Sequence, residues 1–276
     1  MILHIDFELE GDYTMEHRRA YDGREFRAFD CEVSDMLHDT AITAKPSLSI
    51  PRPRRRKEVR DPYDGLRPWS AITHGVGAVL AVVGTAFLAV QSILMGKWGN
   101  LAVFLIYGLS MVCLYTASTL YHCVNTSPAK RIALRKYDHC SIYLLIAGSY
   151  TPVCLTVLRN DGGLTLFATI WGLALAGVVL TIAKLDIPRW LTSVIYLLMG
   201  WLAVFAIVPL SQLMPGAGMF WLILGGVLYT VGGVLYAVKW PGRNNPRFGC
   251  HEIFHVFILL GSIAHFVMMA QVIAYM

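Results

Sequence analysis

Between Trp69 and Met276 long apolar runs alternate with short breaks, and this pattern leaves the chain little freedom of fold. The runs cover residues 70–95, 100–123, 139–158, 163–184, 190–210, 219–239 and 251–275. Each is about 20 residues or longer, enough to cross about 30 Å of hydrocarbon as a helix. In lipid, backbone N–H and C=O groups must be satisfied within the segment, so the runs are dictated to be helical. Gly and Pro inside them do not argue against membrane spans. The expected fold class is an all-α membrane protein, a seven-transmembrane helix bundle over residues 69–276.

Charge is distributed to match. Only 15% of the 276 residues are charged and 56% are hydrophobic, against about 25% charge in soluble domains. Residues 1–67 hold 12 of the 23 Lys and Arg and 14 of the 18 Asp and Glu. Residues 1–68 therefore read as a separate polar tail. Its first 39 residues carry 11 acids against 4 bases and are expected to be disordered. The stretch 40–68 reads as an Arg- and Pro-rich linker, with Pro51-Arg52-Pro53-Arg54-Arg55-Arg56-Lys57 at its centre. That cluster is expected to act as a topology signal, with attraction to anionic headgroups as its further reading. The first twelve residues are acidic and do not resemble a secretory signal. No basic face with interleaved aromatics recurs, so nucleic acid is not an expected partner. The six cysteines form no CxxC pair and read as small buried hydrophobes.

The short breaks give an orientation. With the tail in the cytoplasm, the inner breaks hold Lys130, Arg131, Arg135, Lys136, Lys184, Arg189, Lys239, Arg243 and Arg247, while the outer ones hold Lys97 and Arg159. Nine against two predicts a cytoplasmic N-terminus and an outer C-terminus, in a multi-pass protein of the cell membrane. Trp98, Trp190 and Trp240 at the edges of runs fit an interfacial aromatic belt.

Ionisable residues are scarce beyond the tail, and each one in a span is a functional candidate. His122 ends the second run, Asp138 opens the third, and His251 and His255 open the seventh. All four fall at the predicted cytoplasmic end, where they converge if those helices are neighbours. His251 and His255 are four residues apart and share a helix face, as do Ser118 and His122. Imidazole suits Zn²⁺, and three histidines with an open fourth position form a familiar catalytic set. Asp138 is then placed to hold a water or take its proton, and Ser118 to orient His122 or that water. The rival readings are structural: helix–helix hydrogen bonds for the histidines, an acid at a helix N-terminus for Asp138, and a bond from Ser118 to its own helix.

The segment His251-Glu252-Ile253-Phe254-His255 also fits H-E-x-x-H, which offers Glu252 as an alternative base. His265 lies on the same stripe but about 21 Å further along the helix, too deep for the same ion; a bundle-interior hydrogen bond is its expected role. His74 borders this end and is expected to serve helix packing. His139 is expected to lie outside the site.

These residues resemble a known family. Ser118-Thr119-Leu120-Tyr121-His122 is similar to the S-x-x-x-H of the progestin and adipoQ receptor (PAQR) family. Lys136-Tyr137-Asp138 with Gly148-Ser149-Tyr150-Thr151-Pro152 is similar to its third-helix block, and His251 to His255 to its H-x-x-x-H in the last helix. Thr73-His74-Gly75 with Gly77, and the short loops, resemble the haemolysin III branch most closely. The resemblance covers about residues 66–276. It implies seven spans with an inward N-terminus and a zinc near the cytoplasmic face held by His122, His251 and His255. It also implies Asp138 reaching the metal through water, with Ser118 close by. Relatives in the wider superfamily include alkaline ceramidases.

Three functions are then expected to compete. The leading one is an integral-membrane zinc hydrolase of a lipid amide or ester, with a membrane lipid as substrate and Asp138 as base or water-holder. The second is a non-enzymatic, receptor-like or membrane-perturbing protein whose zinc is structural. The third is an intramembrane zinc protease, which requires Glu252 rather than Asp138.

Overall fold

The computed structural model describes residues 66–183, 189–242, 245 and 248–276. The expectations for the tail at 1–65, and those for Lys184, Arg243 and Arg247, lie outside the described residues, as do the side chains of Arg189 and Trp190.

The described chain is an all-α bundle of seven membrane-spanning helices. They are α1 (Pro68–Leu94), α2 (Trp98–Cys123), α3 (Pro128–Val157), α4 (Gly163–Ile182), α5 (Leu191–Leu213), α6 (Gly216–Val238) and α7 (Cys250–Tyr275). Six of them match the apolar runs to within three residues at each described end. The exception is α3, which starts eleven residues before the run at 139–158. Pro128 takes the first helical turn, where its missing N–H costs nothing. The following Ala, Lys, Arg and Leu residues favour helix although they are not uniformly apolar. Lys130, Arg131, Arg135 and Lys136, expected in a loop, therefore lie on the first turns of α3.

α1, α2, α3, α5, α6 and α7 close into a ring in that spatial order, and α4 packs outside it against α3. Small residues permit the close approaches. A Cβ at Gly77 of α1 would lie 2.6 Å from the Tyr115 ring of α2, and one at Gly148 of α3 would lie 2.2 Å from Ser110 Oγ. Large apolar side chains such as Val83, Leu164 and Phe205 face outward. That is the surface expected of a bundle whose solvent is lipid.

α5 is not continuous. An α-helical stretch to Trp201 passes through a 3₁₀ turn at Leu202–Ala206 before α-helix resumes at Ile207–Leu213. Two causes meet here. Pro209 supplies no N–H to the carbonyl four residues back. The Tyr150 hydroxyl of α3 also enters the ladder: it accepts from the Ala203 N–H at 2.8 Å and donates to the Gly200 carbonyl at 2.7 Å. α3 itself ends in a π-helical turn, Val153–Val157, directly after Pro152.

Candidate metal centre

α1, α3 and α7 begin, and α2 ends, at the same end of the bundle. This brings together residues far apart in sequence. His122 sits in the last turn of α2, and His251 and His255 in the first two turns of α7. Their ring centroids are 4.9 Å (His122–His251), 5.0 Å (His122–His255) and 4.7 Å (His251–His255) apart. One ligand atom from each lies within 4.8 Å of the others. His122 and His255 are buried and His251 is half-buried.

The donor set fits a zinc ion. His122 Nε2 and His251 Nε2 are 3.2 Å apart. Two imidazole nitrogens on a tetrahedral Zn²⁺ with bonds of 2.0–2.1 Å lie about 3.3 Å apart. Among the described residues no Cys, Asp or Glu joins the three histidines within the same reach, so the cluster offers three donor side chains. Cys123, Cys140 and Cys250 are not in the group.

The start of α1 fixes these rings. His255 Nδ1 lies 3.3 Å from the Ser70 carbonyl, and a carbonyl only accepts, so Nδ1 carries the proton and Nε2 is left as the ligand atom. The backbone N–H of Arg67 donates to the His122 carbonyl at 3.0 Å. Segment 67–70 therefore touches both helices that carry ligands.

The same segment decides the position of Glu252. Its Oε1 accepts from Ser70 Oγ at 3.2 Å and from Arg67 Nη1 at 3.1 Å, and its Oε2 accepts from the Gly249 N–H at 2.8 Å. Glu252 caps α7 and pairs with Arg67, and it does not line the cavity beside the histidines. The H-E-x-x-H pattern is present, but its acid is committed elsewhere.

Asp138 and Ser118 do line that cavity, with the Ser118 hydroxyl beside the Asp138 carboxyl. Ser118 stands on α2 one turn before His122. His74, expected to serve packing, lies against the site: its ring stacks on His255 at 3.7 Å with an 18° interplanar angle and meets the edge of Tyr115 at 5.0 Å. His139, expected outside, lines the same cavity. His265 does make the expected interior bond, from Nε2 to the Leu222 carbonyl at 3.4 Å. The contribution of Ser70 escapes sequence reasoning because the atom that orients His255 belongs to the main chain.

The cavity has a volume of about 370 Å³. It runs from His251 and His255 to Met268, about 20 Å along α7 at 1.5 Å per residue. Below the polar end the wall is mostly apolar. Val204 of α5 and Ile223 and Val227 of α6 line it and are also among the exposed apolar side chains. The cavity therefore reaches the lipid-facing surface between α5 and α6.

The histidines, the cavity and the ring of helices all fall within residues 68–276, and residues 68–266 match the family model described as Haemolysin-III related. The chain belongs to the Haemolysin-III related family. It is 40% identical over 197 residues to the Hemolysin-3 homolog of Bacillus subtilis (strain 168), a match covering 71% of this chain and 89% of that protein. It is 37% identical over 197 residues to Hemolysin-3 of Bacillus cereus, covering 71% and 87%. A more distant likeness is to the Adiponectin receptor protein of Drosophila melanogaster, 28% identical over 158 residues, covering 48% of this chain and 33% of that protein. In this Haemolysin-III related chain the matched region contains each of Ser118, His122, Asp138, His251 and His255.

Proposed function

We propose that this Haemolysin-III related protein is an integral-membrane zinc-dependent hydrolase of a lipid amide or ester, similar in class to a ceramidase. One observation carries the reading: a cluster of three imidazoles, two of which line the polar end of an apolar cavity that reaches the lipid face, with Asp138 on its wall. A structural zinc site is normally closed by four protein ligands, whereas a catalytic one keeps a position open.

His122, His251 and His255 would hold the ion. When bound, zinc polarises a carbonyl and activates water near neutral pH. The apolar wall accepts an acyl chain from the membrane between α5 and α6. The Asp138 carboxylate orients water and takes its proton, with the Ser118 hydroxyl beside it. Residues 69–276 form the membrane domain in this reading. Residues 1–68 form a cytoplasmic tail, and the nine-to-two excess of Lys and Arg sets the site near the inner leaflet of the cell membrane.

The protease reading requires Glu252 as base, and its three hydrogen bonds to Ser70, Arg67 and Gly249 disfavour it. A non-enzymatic receptor-like role keeps the support of the adiponectin receptor likeness. The deciding experiment is a turnover assay of purified, zinc-loaded protein on a panel of lipid amides and esters. Release of fatty acid that is lost in His122→Ala supports the hydrolase. Its absence across the panel supports the receptor-like role.

A further inference from the structure

The charges on the cavity wall point to a particular kind of lipid. Among the residues that line it, Arg135 and Asp138 are the only Arg, Lys, Asp or Glu side chains. They do not pair: the ion pair found among the described residues within 4.0 Å is Arg67–Glu252. Asp138 has the Ser118 hydroxyl beside it and also feels the charge of Arg135. Arg135 thus presents a half-buried guanidinium to the cavity with no carboxylate in ion-pair contact among the described residues, although Asp138 lies within electrostatic reach.

Its position is specific. Arg135 lies three residues before Asp138 on α3, so both are on one face and about 4.5 Å apart along the axis. α3 begins at the end of the bundle where the histidines gather, so Arg135 lies on the outer side of Asp138, opposite to the apolar depth of the cavity. A lipid with its chain toward Met268 and its carbonyl beside the histidines would carry its head past Asp138 to Arg135.

The charge sum at this end gives the sign of that head. Neutral imidazoles offset none of the charge of a divalent ion. With Asp138 offsetting at most the charge of Arg135, a loaded site would carry about two positive charges or more. Next to a low-dielectric wall such an excess favours an anionic ligand strongly. Guanidinium matches carboxylate and phosphate with two parallel hydrogen bonds.

We propose that the ligand is an acyl amide or ester whose head bears an anion, carboxylate or phosphate, within a few bonds of the carbonyl, and that Arg135 recognises it. This rests on the reading that the cavity holds an acyl chain, and it narrows the substrate from lipid amides and esters in general to anionic ones.

The test is direct binding to purified protein, metal-free and zinc-loaded, with no turnover needed. N-oleoylglycine is compared with N-oleoylethanolamine, which shares the chain and amide but has a neutral head. Oleoyl lysophosphatidate supplies the phosphate arm, and oleate an anion with no head beyond the carbonyl. The wild type is expected to bind at least one of the two headed anions about tenfold more tightly than the ethanolamide. Arg135→Gln is expected to abolish that preference while leaving ethanolamide affinity unchanged, and Arg135→Lys to restore part of it. Whichever headed anion loses more in Arg135→Gln identifies the head. Equal binding of charged and neutral heads, or a preference that survives Arg135→Gln, overturns the inference but leaves the acyl-binding reading intact. A preference for oleate alone places the anion at the histidines and overturns it too. Failure of every lipid to bind overturns both. Unchanged melting temperature and zinc content in Arg135→Gln separate lost recognition from misfolding; if Arg135→Gln does not fold, Arg135→Lys carries the comparison.

Discussion

The Ser70 carbonyl oxygen lies 3.3 Å from His255 Nδ1, so the first turn of α1 sets the ring of a clustered histidine 185 residues later in the chain. Ser70 Oγ at the same time donates to Glu252, which caps the helix carrying that histidine. One buried serine thus connects the entry of the chain into the bundle with the geometry of the histidine cluster.

This connection predicts a graded response. Ser70→Ala removes the hydroxyl but keeps the carbonyl, and is expected to cost about 1 kcal/mol with zinc affinity nearly unchanged. Glu252→Ala removes the acceptor for Ser70, Arg67 and Gly249 and is expected to cost about 2–3 kcal/mol. It should also weaken zinc binding by about tenfold through misplacement of α7. Thermal melting in detergent and zinc titration of both variants check the pair of outcomes.

The roles of the two acids separate in kinetics. Asp138→Asn is expected to retain zinc and lower kcat by about 100-fold or more on any lipid that the wild type cleaves. Glu252→Gln is expected to lower it by less than about tenfold, because its carboxylate serves the helix end. The reverse order would restore the protease reading.

Packing at Gly77 bears on the site through Tyr115, whose ring touches His74. A Cβ there would lie 2.6 Å from that ring. Gly77→Val is expected to destabilise by about 1–3 kcal/mol through overpacking, read as a fall in melting temperature.

Tyr150 holds the break in α5 by accepting from Ala203 and donating to Gly200. Tyr150→Phe leaves the Ala203 N–H unpaired at the 3₁₀ turn. The expected loss is about 1–3 kcal/mol, measured by thermal melting in the same detergent.

Much of this fold was legible in the residues, because lipid permits few answers to a run of twenty apolar side chains. The spacing of His251 and His255, and the placement of His122 at a helix end, carried the cluster as well. What the pattern could not carry were relations made by neighbouring helices. The amphipathic start of α3 hid it from a reading of hydropathy. Glu252 satisfied a motif whose chemistry depends on where its carboxylate points, and it points to Ser70, Arg67 and Gly249. His74 and His139 joined the site only once the order of helices around the ring was known. The break in α5 needed Tyr150, a residue of another helix.

The most direct measurement is zinc content of the purified protein, wild type beside His255→Ala, after careful exclusion of free metal. The account predicts about one zinc per wild-type chain and its loss in the variant, with the helical bundle intact by circular dichroism. A wild type that takes up no zinc when it is supplied, or a variant that retains the ion undiminished, would contradict it.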